Sequence, residues 1–189
     1  TEGMVLDAGY FTKELGQLCN NGDKTEFEDA FLVLLSEGQL TQIDLANFFN
    51  SIPGEFLNKP FVFFVTPGFN PESMKMLLYT LIQNKIMFQM VFINEAKPEE
   101  IFLDIAAKTG GLIQSSALGT SEYRFQYCGR AEKITIEVDK TTILSYICES
   151  DLAVEKRVDD YEKELKDNKY NLGVIREAQI TRRIANLTK

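Results

Sequence analysis

The sequence contains no histidine and no tryptophan. Without histidine there is no Ser-His or Cys-His pair for nucleophilic catalysis, and no His-rich zinc site. Cysteine is scarce: Cys19, Cys128 and Cys148 are odd in number and far apart, a spacing that suits neither a metal site nor a disulfide framework. They read as reduced thiols of a cytosol-like compartment, which predicts a cytoplasmic protein. No apolar run approaches the length of a membrane span, and no leader pattern opens the chain. Cations are outnumbered, with 20 Lys and Arg against 28 Asp and Glu. The resulting net charge of −8 argues against a nucleic-acid partner, whose phosphates need clustered Lys and Arg. No Gly-rich phosphate loop is present, and no carboxylate pair stands out from the solvated background.

What remains is an ordinary globular composition, 44% apolar and 25% charged over 189 residues, enough for one domain with its own core. Residues 3–11 read as an extended segment ending in Tyr10 and Phe11, and 16–29 as a polar loop. Apolar runs at 30–35, 61–65 and 86–93 have strand length. Between them, 41–52 reads as a helix with Leu45, Phe48, Phe49 and Ile52 on one face, closed by Pro53-Gly54. A second helix opens at Asn70-Pro71-Glu72, where Asn caps free amides, Pro suits the first turn and Glu opposes the dipole. It runs to Gln83. Pro98-Glu99-Glu100 opens a third by the same logic, and Gly110-Gly111 ends it. Short strands are predicted near 112–115, 123–127, 133–138 and 142–147. Two charged helices follow, 149–167 acidic and 172–187 mostly basic, around a turn at 168–171. This order of elements predicts a mixed α/β (α+β) fold.

Three motifs recur at characteristic separations: Glu2-Gly3-Met4 with Gly9-Tyr10; Ile105-Ala-Ala-Lys-Thr-Gly-Gly111; and Asp139-Lys-Thr-Thr142. With Arg157-Val158 and the closing Arg-rich helix, they resemble the apical domain of a group I chaperonin of the GroEL type. The likeness spans essentially the whole chain. It implies a β-sandwich core flanked by helices, as a single domain over residues 1–189 cut from a longer, ATP-dependent ring subunit. It also implies an apolar groove between two helices that captures unfolded polypeptide and the loop of a co-chaperonin. The fragment itself would then be a monomer without enzymatic activity, cofactor or metal; ATP and Mg would belong to the parent's equatorial domain. The usual Pro-Gly-Phe-Gly-Asp-Arg stretch is replaced by Asn94-Glu95-Ala96-Lys97-Pro98, a departure that implies a divergent member of viral or phage origin.

Carried onto this sequence, the resemblance places polypeptide-binding positions at Tyr10, Phe11, Asn47, Phe48, Asn50, Met74, Leu78 and Tyr79. A helical wheel of 71–83 puts Met74, Leu77, Leu78, Leu81 and Ile82 on one face, with Met76 and Tyr79 opposite. An exposed Met and Tyr suit adaptable apolar binding, so Met76 joins the set and Tyr79 leads it. On the first helix the wheel turns Phe48 inward and leaves Asp44, Asn47, Asn50 and Ser51 outward, predicting a polar half to the groove. Two alternatives are a small α/β nucleotide- or ligand-binding domain and a structural interaction domain without client binding.

Overall fold

The computed structural model describes residues 3–11, 24–36, 38–116, 118–146, 151–168 and 171–189. Along them run β1 (Met4–Leu6), β2 (Thr25–Leu35), α1 (Gln42–Asn50), β3 (Phe61–Val65), α2 (Pro71–Gln83), β4 (Phe88–Phe92), α3 (Pro98–Thr109), β5 (Gly129–Ile136), β6 (Thr141–Ser145), α4 (Leu152–Asp167) and α5 (Val174–Leu187). The mixed α/β class is the one the sequence implies. Three differences are local. The stretch near 112–115 makes an isolated bridge, Ile113 to Leu34, rather than a strand. Residues from Thr25 onward belong to β2 rather than to a loop, because Thr25 and Phe27 turn inward while Glu26 and Glu28 face solvent along β5. The stretch near 123–127, whose aromatics read as a strand, contains a 3₁₀ turn at Phe125–Tyr127. There Phe125 packs edge-on against Phe31 at 4.8 Å and stacks on Phe56 at 5.6 Å, so ring packing overrides local β preference.

All six strands join one sheet in the order β1-β6-β5-β2-β3-β4. β2, β3 and β4 run parallel, and the others pair antiparallel. Both faces are covered, which is why β3 reads as an unbroken Phe-Val-Phe-Phe-Val. Leu32, Leu34, Val62 and Phe64 enter one core with α3, α4 and α5. Phe31, Val33, Phe61, Phe63 and Val65 enter the other, beneath α1 and α2. The crossovers β2-α1-β3 and β3-α2-β4 step the same way across the sheet. A common hand therefore puts both helices on the same face, running in the same direction.

The expected sandwich takes the form of this one sheet with its edges stitched together. β1 pairs with β6 at one edge. A few residues on, Tyr10 bridges Val91 of β4 at the other edge, with Phe11 N donating to Met90 O and Phe92 N to Gly9 O, both at 3.0 Å. Tyr10 N also donates to Glu137 O at 3.3 Å. The segment is too short to reach both edges of a flat six-stranded sheet, at about 3.3–3.6 Å per residue, so the sheet curls.

The recurring motifs meet in this closure. Gly110 adopts φ 76°, the left-handed cap that ends α3. A side chain on Gly111 would meet Gly129 N at 2.5 Å, so the chain passes β5 only as glycine. Lys108, 2% exposed, sends Nζ to the carbonyls of Leu187 and Lys189, both at 3.0 Å, capping α5 with a cation. Thr141 Oγ1 donates to Ala8 O at 2.6 Å. These residues hold the fold together; none of them opens onto a groove.

α4 and α5 are bound to α3 by charge. Asp104, buried, accepts from Arg157 Nε and Tyr161 Oη, both at 2.8 Å. Arg176 bridges Glu100 and Glu164, and Arg183 pairs with Glu95 and Glu100. Apolar residues Val154, Tyr161, Ile180 and Leu187 supply the buried surface of the joint.

Candidate functional site

Thr41 and Asp44 form a reciprocal capping box that starts α1: Asp44 N donates to Thr41 Oγ1, and Thr41 N to Asp44 Oδ2. Asn70 Oδ1 accepts from Ser73 N and starts α2. Ser73 Oγ in turn accepts from Leu40 N at 2.8 Å and donates to Leu40 O at 3.2 Å. The start of α2 is thereby tied to the residues leading into α1. Below, Leu45 and Phe48 of α1 and Met74, Leu77 and Leu81 of α2 are buried against β3, with Phe48 meeting Phe63 ring to ring at 6.5 Å.

Between the two helices lies an open groove of about 320 Å³. One wall is Gln42, Leu45, Ala46 and Phe49; the other is Met76, Tyr79, Thr80, Gln83 and Asn84. Tyr79 is 66% exposed, and Phe49 and Met76 are half-buried. The floor is apolar and the ends carry amides. A large ring standing in solvent beside a methionine and a phenylalanine offers adaptable apolar contact.

Of the residues singled out by sequence, Met76 and Tyr79 are the two that line this groove. Phe48 and Met74 are buried in the core at 4% and 7% exposure and present no surface to a ligand. Asn47 and Asn50 are exposed but lie off the groove wall, and Leu78 sits half-buried on the flank of α2 away from α1. Ile82, expected on the core face, is 59% exposed. Tyr10 packs against the core on the opposite face of the sheet, with its hydroxyl 2.7 Å from Thr25 Oγ1. Phe11 turns to the α1–α2 face and meets Phe92 edge-on at 5.3 Å. The α1 wall is also less polar than expected, because Phe49 and Ala46 face α2 while Ser51 turns away to hold Phe125 N. A spacing of four and three through Gln42, Ala46 and Phe49 marks that wall, but it becomes visible only once the position of α2 is known.

A second cleft of about 300 Å³ lies between β1, α3 and α5. Its arginines are already engaged, Arg182 with Asp7 and Arg183 with Glu95 and Glu100, so it is a structural joint. Among the described residues no group of three or more His, Cys, Asp or Glu is placed to hold a metal ion. Cys128 Sγ accepts from Gln114 Nε2 at 3.7 Å, and desolvation pushes its thiol well above the ordinary range. Cys19 and Cys148 lie outside the described residues. Among those residues no helix is long and apolar enough to cross a membrane.

No family model matches the chain. Among solved structures, it is similar to the chaperonin gp146 from the bacteriophage EL 2 (Pseudomonas aeruginosa), crystallised in the presence of ATP-BeFx. In crystal form II the TM-score is 0.66 at 13% identity, covering 99% of this chain and 36% of that one. In crystal form I the values are 0.61 and 11%, covering 98% and 36%. The fold is chaperonin-like, and the chain spans about a third of the length of the chaperonin subunits it matches.

Proposed function

We propose that this chain is the client-binding, apical-type domain of a divergent chaperonin subunit, and that the groove between α1 and α2 captures apolar segments of unfolded polypeptide. The observation that carries the reading is Tyr79, two-thirds exposed on the wall of the groove opposite Phe49. The fold likeness, which runs along nearly the whole chain, supports it. Desolvation of apolar surface drives capture, at roughly 25 cal/mol per Å². A single groove of this size binds weakly, in the micromolar to millimolar range. Several copies in a ring gain by multivalency, which makes the assembled parent the effective chaperone. The same groove is available to the loop of a co-chaperonin. ATP hydrolysis belongs, in this reading, to another part of the parent.

The test is anisotropy of a labelled amphipathic peptide titrated with the domain and with Tyr79→Ser. Saturable binding weakened at least fivefold in the variant supports the reading. Binding of equal strength in both proteins overturns the assignment of the groove.

A further inference from the structure

The groove is electrically neutral along its whole described length. The chain carries 48 charged side chains, yet none lines either wall. The nearest acid of α1, Asp44, is engaged in the capping box, and on α2 Glu72 and Lys75 face each other at 3.5 Å. In place of charge the groove carries amides. Gln42 opens α1 and Gln83 closes α2. Because the two helices run in the same direction, these glutamines stand toward opposite ends of the groove. Among the described residues neither side chain has a hydrogen-bond partner, whereas Asn84 Nδ2 already donates to Thr80 O at 2.8 Å.

A carboxamide donates and accepts at once, as a peptide group does. A helical ligand has its backbone groups satisfied internally and offers such an amide little, but an extended segment has free N–H and C=O groups along its length. From Met76 to Gln83 the helix rises about 10 Å at 1.5 Å per residue, the length of three extended residues at about 3.3 Å each. Resting on the client-binding reading above, we infer that Gln42 and Gln83 are specificity residues that hold the backbone of a short, extended, uncharged segment, while Phe49, Met76 and Tyr79 take its side chains. Binding is then independent of the sign of the client's net charge and insensitive to salt.

The probe is a blocked, uncharged apolar octapeptide and the same peptide with its central amides N-methylated, titrated by chemical-shift perturbation. The proteins are the wild type, the pair variant Gln42→Leu/Gln83→Leu, and Tyr79→Ser. N-methylation weakens binding to the wild type about fivefold, the value of one neutral hydrogen bond, and leaves binding to the pair variant unchanged. Raising salt from 50 to 500 mM alters the wild-type affinity by less than twofold. Equal sensitivity to N-methylation in wild type and pair variant, with Tyr79→Ser still defective, overturns the amide role and leaves the groove assignment standing. If Tyr79→Ser binds as wild type does, the groove assignment itself falls, and the amide role with it.

Discussion

The side-chain amide of Asn186, near the end of α5, both accepts from Val5 N at 3.1 Å and donates to Val5 O at 3.0 Å. β1 is an edge strand, and this one side chain supplies the pairing that a further strand would otherwise give. A residue near the end of the chain thus closes a strand near its beginning. Replacing it, Asn186→Leu, leaves both backbone groups of Val5 without their partner. We expect a loss of about 1–3 kcal/mol in urea unfolding, with peptide binding at the groove unchanged. A loss below 0.5 kcal/mol, within the range of ordinary surface substitutions, would show that water replaces the amide without cost.

Asp104 makes stability depend on pH. Burial raises its carboxyl to about 6, against the opposing pull of the Arg157 charge and the hydrogen bond from Tyr161. A carboxyl whose folded value is raised favours the folded state most when protonated. Its contribution is full below about 4 and is lost as pH rises through about 6. Asp7 and Glu164, held low chiefly by hydrogen bonds from Arg182 and Arg176, act in the opposite sense and lose their contribution as pH falls. The difference between wild type and Asp104→Asn isolates the Asp104 contribution. From pH 4 to pH 7.5 the variant should gain stability relative to the wild type, by an amount on the order of 2–3 kcal/mol. A flat difference across that window would contradict this.

Gly111 tests whether the Thr-Gly-Gly motif is structural. Gly111→Ala sets a methyl 2.5 Å from Gly129 N, a backbone atom that cannot swing away. The variant should lose about 1–3 kcal/mol, as overpacked sites do, while Gly54→Ala, where nothing lies within 4 Å, changes little. Equal melting temperatures for the two variants would contradict the structural role of the motif.

Phe49→Ser should weaken peptide binding about as much as Tyr79→Ser, whereas Asn47→Ala should leave it intact, because Phe49 lines the groove and Asn47 does not. A peptide titration decides. Loss in Asn47→Ala with none in Phe49→Ser would put the site on the other flank of α1.

The contrast between Phe49 and Phe48 shows where sequence reading stops. Element starts were legible because their causes are local: Asn70 and Pro71 begin α2, and Phe61–Val65 is too uniformly apolar to lie anywhere but in a doubly covered sheet. Thr25–Asp29 was not legible as strand, since its acidic residues gain meaning only beside Lys133 and Ile134 of β5. The groove was legible on the α2 side, where Met76 and Tyr79 stand apart from a clear core stripe. On α1 two adjacent phenylalanines look alike on a wheel. Which of them is buried depends on Phe63 beneath, and which faces the groove depends on α2 alongside. Tyr10 and Asn47, carried over by resemblance, lie off the groove for a related reason: the curl of the sheet and the rotation of α1 place them elsewhere.

The most direct test of the client-binding account is to place a photocrosslinking amino acid at Thr80, on the groove wall, and in a second protein at Glu155, on the exposed face of α4. Each is irradiated with a chemically denatured client and with the same client folded. The account predicts crosslinks from position 80 to the denatured client alone, competed away by the uncharged octapeptide, and only background from position 155. Crosslinking of equal yield from both positions, or from position 80 to folded and denatured client alike, would contradict it.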